Sequence, residues 1–98
     1  MKTLKIKSLT LCNQLVPNSE TYTHENCIAY VAVKLDGAEG TMRATVSVAR
    51  DKAGMQKGEW LTCCDFWVSG EASDADILAE FQRLVADGEC DTVQGLTV

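Results

Sequence analysis

The feature that most constrains the fold is a regular alternation of apolar and polar residues on both sides of a glycine-containing segment. Within residues 41–50, every second side chain from position 42 to 48 is apolar, and residues 26–36 repeat the pattern before it. Since successive side chains of a β-strand point to opposite faces, both segments predict strands with one buried face. The glycines of residues 36–40 allow the positive φ of a short hairpin loop. The inward positions are Cys27, Ala29, Val31, Val33 and Leu35 in the first strand, opposed by Tyr30 and Lys34, and Met42, Ala44, Val46 and Val48 in the second.

Two other segments also predict strands. Residues 2–11 alternate, but the alternation slips near Ser8, which predicts a β-bulge. Residues 59–69 are apolar on both faces, as in a central strand or a strand whose second face contacts a ligand or partner. One predicted face carries Trp60, Thr62, Cys64, Phe66 and Val68, and the other carries Leu61, Cys63 and Trp67.

One helix is predicted over residues 74–86. Ser73 and Asp76 have the spacing of a capping box, Asp74 adds negative charge near the helix N-terminus, and Gly88 suits the position after the helix. Helical spacing then relates a set of apolar residues: Ile77, Leu78, Phe81, Leu84 and Val85. Residues 91–98 predict a last strand, whereas 13–26 and 51–58 predict loops.

The element order β-β-β-β-α-β predicts an α+β fold, a twisted antiparallel sheet of four or five strands with one helix packed across it. A chain of 98 residues suffices for a single hydrophobic core, so a single domain over 1–98 is expected. The helix should pack its apolar residues against the sheet at Val31, Val33, Val46, Val48 and Phe66.

The ends of the chain differ in charge. Residues 1–57 hold eight basic and five acidic residues, and residues 58–98 hold one basic and nine acidic residues. The N-terminal lysines interrupt any secretory apolar region, and no stretch has the length of a membrane span, so a cytoplasmic protein without membrane contact is expected. An odd number of cysteines, five, argues against a secreted disulfide framework and favours reduced, buried thiols.

Metal and catalytic sites are poorly supported. His24 and Cys27 have a ligand-like spacing, but the second pair would be Cys63 and Cys64, whose side chains point to opposite faces of a strand. The same histidine is the only candidate base for a cysteine nucleophile, and no glycine-rich phosphate loop is present. We therefore expect no metal, no cofactor and no enzymatic activity.

The acidic half favours a small interaction protein that binds a basic protein surface, such as an inhibitor of a nucleic-acid-binding partner of the kind that phages and mobile elements encode. The simpler alternative is an ordinary solvated helix face, because Asp76 and Glu80 are one helical turn apart and lie together on the polar side of the helix. The predicted partner-binding residues are Glu71, Asp74, Asp76, Glu80, Asp87 and Glu89.

A second hypothesis is single-stranded DNA binding, because bases stack on aromatic rings while cations contact phosphates. A third is a structural or assembly subunit, a homo-oligomer with Trp67 in the contact. The predicted nucleic-acid face comprises Lys5, Lys7, Tyr30, Lys34, Arg43, Trp60 and Trp67.

Residues 44–49 (ATVSVA), 59–63 (EWLTC) with Phe66, the predicted helix and residues 92–95 (TVQG) support the second hypothesis. Over about residues 41–97 this run resembles bacterial single-stranded-DNA-binding proteins and their primosomal relatives. The resemblance implies an OB-fold with Trp60 at a base-stacking position. The chain departs from that pattern by a hairpin strand before Thr41, by the absence of a final hairpin and by the acidity of the matching half.

Overall fold

The computed structural model describes residues 2–12, 21–34, 38–90 and 93–98. Five strands and two helices follow one another in the order β1-β2-β3-α1-β4-α2-β5. Their bounds are β1 Lys2–Cys12, β2 Thr21–Lys34, β3 Thr41–Ala49, α1 Lys52–Gln56, β4 Trp60–Ser69, α2 Asp74–Ala86 and β5 Val93–Thr97. The predicted α+β class and the predicted antiparallel sheet are confirmed.

The strands form one five-stranded sheet in the order β4-β3-β2-β1-β5, and every pairing is antiparallel. The first four strands therefore form a meander, and the chain then crosses through α2 to place β5 beside β1. β4 and β5 are the two edge strands. The hypothesis that residues 59–69 form a central strand was thus wrong, whereas the predicted hairpin of β2 and β3 is confirmed.

The core lies between the sheet and α2. The sheet and the helix contact each other through the stacked rings of Phe66 and Phe81, whose centroids are 6.2 Å apart. In α2 the buried residues are Ile77, Leu78, Phe81 and Val85, and Leu84 is half-buried. The sheet adds Ile6, Leu9, Cys27, Ala29, Val31, Met42, Ala44, Val46, Val48, Val93 and Leu96.

Val33 is the exception among the predicted core residues, because its side chain is 49% exposed. The pairing of β1 with β2 begins at Lys2 and Val31, so Val33 lies beyond the end of β1 and has a neighbouring strand only on the β3 side. The next inward position, Leu35, and the turn residues Asp36 and Gly37 lie outside the described residues. Gly40, at the end of the hairpin loop, has the positive φ that a glycine permits, 84°.

Helix α2 begins and ends at the predicted residues. The Ser73 hydroxyl accepts a hydrogen bond from the Asp76 N–H, and the Asp76 carboxylate accepts one from the Ser73 N–H, which completes the capping box. Gly88 has φ 76° and follows the C-cap residue Asp87. The prediction of one helix was nevertheless incomplete, because α1 occupies residues assigned to a loop; at five residues it is too short to show an apolar period.

Three strand predictions need refinement. Thr21–Glu25, assigned to a loop, extend β2, while residues 13–20 lie outside the described residues. The slip in β1 is confirmed, since Ile6 and Leu9, three positions apart, are both fully buried. The register of β1 against β2 is the same before and after this slip. The register of β1 against β5 shifts between Thr10 and Leu11. The last strand, predicted over 91–98, is β5 at Val93–Thr97.

Candidate functional site

The sheet has an outer face, on the side opposite to α2, that carries aromatic and basic side chains. At one end of this face, Lys34 of β2, Arg43 of β3 and Trp67 of β4 lie side by side across three strands. Trp67 is 56% exposed. The structure therefore brings together three residues of the predicted nucleic-acid face, although they are far apart in sequence.

A second group of the predicted residues lies at the other end of the outer face. Tyr30 and Trp60 stack there with ring centroids 6.3 Å apart and an interplanar angle of 24°. Lys5 pairs with Ile28 in the same region, and Lys5 and Lys7 both line a cavity of about 520 Å³. Since Tyr30 and Lys34 are four residues apart on β2, the two groups are separated by roughly 13 Å along the strand.

The position of Trp60 differs from the prediction, which placed its side chain with Thr62, Cys64, Phe66 and Val68. Val48 pairs with Thr62 but Ala49 pairs with Trp60, so the register shifts by one residue and Leu61 is the extra residue of β4. A bulge of this kind reverses the face on which the side chains beyond it lie. Trp60 therefore lies on the outer face with Tyr30.

The charge of the outer face is partly neutralised. The Arg43 guanidinium and the Asp65 carboxylate form an ion pair at 2.8 Å, and both side chains are about half exposed. A hydrogen bond from Thr45 and the interaction with Arg43 lower the pKa of Asp65 below its ordinary value. One acidic residue of the C-terminal half is thus placed among the basic residues of the N-terminal half.

Most of the predicted acidic residues lie along α2, on the side of the sheet opposite to the outer face. Asp76, Glu80, Arg83 and Asp87 recur at spacings of four, three and four residues, which places them on one stripe of the helix. Arg83 Nη1 lies 2.7 Å from the Asp87 carboxylate and 3.8 Å from that of Glu89, and Arg83 Nε lies 3.1 Å from Glu80 Oε1. One guanidinium therefore partly neutralises three of the six predicted acids.

The cap of α2 includes Asp76, one of the predicted partner-binding residues. Hydrogen bonds from the backbone N–H and the hydroxyl of Ser73 lower the pKa of Asp76 below its ordinary value. Interaction with Arg83 similarly lowers the pKa of Glu80. Asp74 is half-buried in the first turn, and Glu71 is exposed in the segment between β4 and α2.

The end of β4 and the start of α2 border an open groove of about 590 Å³, whose lining includes residues of both predicted sites. Trp67 of the outer face lines it together with Glu71, Asp76 and Glu80 of the acidic face. Thr41, Val68, Ser69 and Ala72 complete its lining. We call this feature the Trp67 groove. No sequence pattern indicated it, because the tryptophan and the carboxylates belong to different elements.

Asp87 and Glu89 do not line the Trp67 groove. They lie at the far end of α2, which is about 20 Å long at 1.5 Å per residue. Five of the six predicted partner-binding residues therefore form one group at the groove and a second group around Arg83, with Glu80 belonging to both. Asp74, in the first turn of α2, does not line the groove.

The described cysteine and histidine side chains are spread over separate environments. Cys27 is buried on the core side and its thiol contacts the His24 carbonyl oxygen at 3.5 Å. Cys63 is exposed and its neighbour Cys64 is half-buried. Within the part of the chain that the structure describes, no three His, Cys, Asp or Glu residues are placed to bind one metal ion.

Neither described helix has the length and apolar character that crossing a membrane requires. Comparisons of the chain with protein-family models, with curated proteins and with solved structures found no match.

Proposed function

We propose that this chain is a small, non-enzymatic interaction protein that binds a basic segment of a partner protein at the Trp67 groove. The supporting observation is that exposed Trp67 and three acidic residues, Glu71, Asp76 and Glu80, line one open groove. Lysine and arginine are the side chains that such a site suits. The face of a tryptophan attracts a cation within about 6 Å, and carboxylates accept its hydrogen bonds.

The carboxylates of the groove retain acceptor capacity. Asp76 Oδ2 accepts the capping hydrogen bond from Ser73, but an ionised carboxylate has two oxygens and about four acceptor positions. Glu80 is held by Arg83, while Glu71 lies in the segment before the helix, where its carboxylate is exposed. A basic side chain can thus enter between Trp67 and Glu71 without disrupting the helix cap.

Long-range attraction strengthens the proposal. The chain has a formal charge of −5, and the acids of α2 lie on the side of the sheet opposite to Lys34 and Arg43. Six of the nine acids of residues 58–98 belong to α2 or to the segments next to it, so much of the negative charge lies on that side of the sheet. Such a one-signed surface steers a basic partner and increases its rate of association at low salt.

The proposal is tested with a fluorescein-labelled oligo-arginine peptide, titrated with the full chain at low and at moderate salt. We expect binding that weakens as salt rises. The double variant Glu71→Gln/Glu80→Gln should lose about fivefold to thirtyfold in affinity, since two partly exposed ion pairs of about 0.5–1 kcal/mol each are removed. Trp67→Ala should reduce affinity further.

The matched control is Glu39→Gln/Glu59→Gln, which removes two exposed charges outside the Trp67 groove. Both double variants have the same net charge, so a difference between them reports the position of the carboxylates rather than overall attraction. Equal losses in the two variants would contradict the placement of the binding site.

An inhibitor of a nucleic-acid-binding protein is the finer form of this proposal. A groove that binds the basic residues of such a partner competes with the phosphates that those residues contact. In a mixture of the oligo-arginine peptide and a labelled single-stranded oligonucleotide, the chain should release the oligonucleotide, and the Glu71→Gln/Glu80→Gln variant should release less. No release at any concentration would exclude this form.

The alternative is single-stranded DNA binding on the outer face, as the resemblance over about residues 41–97 implies. It is favoured by the alignment of Lys34, Arg43 and Trp67 and by the Tyr30–Trp60 stack. A fluorescence titration with an oligonucleotide distinguishes the hypotheses. Quenching that disappears in a Trp67→Phe or Trp60→Phe variant and decreases steeply with salt would favour DNA binding, whereas unchanged fluorescence at low salt would exclude it.

A further inference from the structure

Two cysteines that are 26 positions apart meet beside the core. Cys64 is an inward-facing residue of β4, and Cys90 follows the turn that ends α2. Their Sγ atoms are 3.3 Å apart, and both side chains are half-buried. A disulfide bond is about 2.05 Å long, so the sulfurs need to approach by little more than 1 Å.

The backbone positions this contact. The Gly88 φ of 76° reverses the chain at the end of α2, where the Glu89 N–H donates to the Leu84 carbonyl oxygen at 2.9 Å. The next residue, Cys90, therefore lies over the sheet beside Cys64, and its carbonyl oxygen accepts a hydrogen bond from the Val93 N–H. Both ends of the thiol pair are thus held by hydrogen-bonded structure.

We propose that Cys64 and Cys90 are a redox-active dithiol that closes to an intrachain disulfide by exchange with a low-molecular-weight disulfide such as oxidised glutathione. Neither cysteine lines the Trp67 groove, so this site does not depend on the docking function. It is a modification site that joins the edge strand β4 to the end of α2.

The exchange has two steps. A Cys90 thiolate, its proton lost to water, attacks one sulfur of glutathione disulfide, breaks its S–S bond and releases one glutathione thiolate. Cys64 then loses its proton and attacks the Cys90 sulfur of the mixed disulfide, which releases the second glutathione. Two protein thiols are oxidised to one disulfide, and one glutathione disulfide is reduced to two thiols.

The environment favours this order of attack. Burial, together with the hydrogen bond to Cys90, raises the pKa of Cys64 to about 12, so little Cys64 thiolate is available to react with an oxidant from solution. The position of Cys64 next to the Cys90 sulfur makes the second step intramolecular, and proximity then compensates for its low ionisation.

Cys63 provides a matched control because it is adjacent in sequence but exposed on the outer face, opposite Ser47 of β3. Its side chain points away from Cys90. The test is to incubate the folded full chain in a glutathione redox buffer, alkylate the free thiols and map disulfides by mass spectrometry after trypsin digestion. Cleavage after Lys57 and Arg83 separates the fragment with Cys63 and Cys64 from the fragment with Cys90.

We expect these two fragments to be linked in the wild-type protein and in Cys63→Ser, but not in Cys64→Ser. The melting temperature of oxidised Cys63→Ser should exceed that of its reduced form by on the order of 10 °C, because the bond closes a loop that contains all of α2. The Cys63→Ser digest retains only Cys64 on that fragment and so remains decisive if Cys64→Ser fails to fold.

Two results would overturn the proposal. One is alkylation of Cys64 and Cys90 in folded protein that has been equilibrated with excess glutathione disulfide. The other is a link that is lost in Cys63→Ser, which would show that Cys63 rather than Cys64 reacts with Cys90.

Discussion

The rings of Phe66 and Phe81 stack with centroids 6.2 Å apart and planes inclined by 19°, and this contact joins edge strand β4 to helix α2. Phe81 is fully buried and Phe66 is half-buried. The same two elements supply much of the lining of the Trp67 groove, and the turn after α2 brings Cys90 to Cys64 of β4. The position of α2 against β4 therefore determines the geometry of both proposed sites.

Replacement of Phe81 by Ala should lower the free energy of unfolding by about 3–5 kcal/mol, since it removes a large buried ring and leaves a cavity. Urea denaturation followed by circular dichroism measures the loss. Ala79→Ser, at an exposed position of the same helix, is the control and should change stability by less than about 0.5 kcal/mol. Equal stability of the two variants would show that the assigned core is wrong.

Replacement of Ser73 by Ala should reduce stability by about 1 kcal/mol, because the N–H of Asp76 loses its hydroxyl acceptor. Helical ellipticity should decrease slightly at the same time. Ser73→Asp provides the comparison, since aspartate is an equally good N-cap residue and should retain stability. If the alanine variant were as stable as the aspartate variant, the cap would contribute nothing measurable.

Stability should decrease in acid. The folded-state pKa values of Asp65, Asp76 and Glu80 lie below their ordinary values of about 3.9 for Asp and 4.3 for Glu. The folded chain thus binds fewer protons than the unfolded chain, so the contribution of these groups is complete above about pH 5 and is lost as the pH falls through their folded-state values. Urea midpoints measured from pH 7 to about pH 3 test this, and Asp65→Asn should reduce the slope.

Replacement of Arg83 by Gln should strengthen the binding of a basic ligand. The change removes the only basic residue of the C-terminal half and releases Glu80, Asp87 and Glu89 from their shared ion pairs. We expect a higher affinity for the oligo-arginine peptide at low salt and a steeper dependence on salt. A decrease in affinity would indicate that Arg83 holds Glu80 in the orientation that binds the ligand.

The sequence predicted the elements whose signals are local. Helix α2 has an apolar period and a reciprocal cap, and β3 has a strict alternation, so both were located to within about a residue. The same reasoning missed α1, whose five residues contain Gly54 and no apolar period. It also missed the start of β2, because Thr21–Glu25 are polar and lack the alternation of a half-buried strand.

For the candidate sites, the sequence identified the residues but not their grouping. It indicated the acidic residues of α2 and the aromatic and basic residues of the sheet as two separate surfaces. The structure divides each set and joins Trp67 to Glu71, Asp76 and Glu80 in one groove. Contacts of this kind depend on the order of the strands, which periodicity does not specify.

The sequence by itself thus determined the α+β class, the antiparallel hairpin and the capped helix, because hydrophobic period, turn residues and caps act between near neighbours in the chain. Only the tertiary structure decided that β4 is an edge strand, that a register shift moves Trp60 to the outer face beside Tyr30, that Val33 is exposed and that Cys64 meets Cys90. These outcomes depend on packing between distant segments, which are 30 residues apart for Tyr30 and Trp60 and 89 for Ser8 and Thr97, whose pairing places β5 at the opposite edge from β4. A local sequence pattern does not indicate which distant segments contact each other. These contacts follow only from the pairing and packing of whole strands and helices.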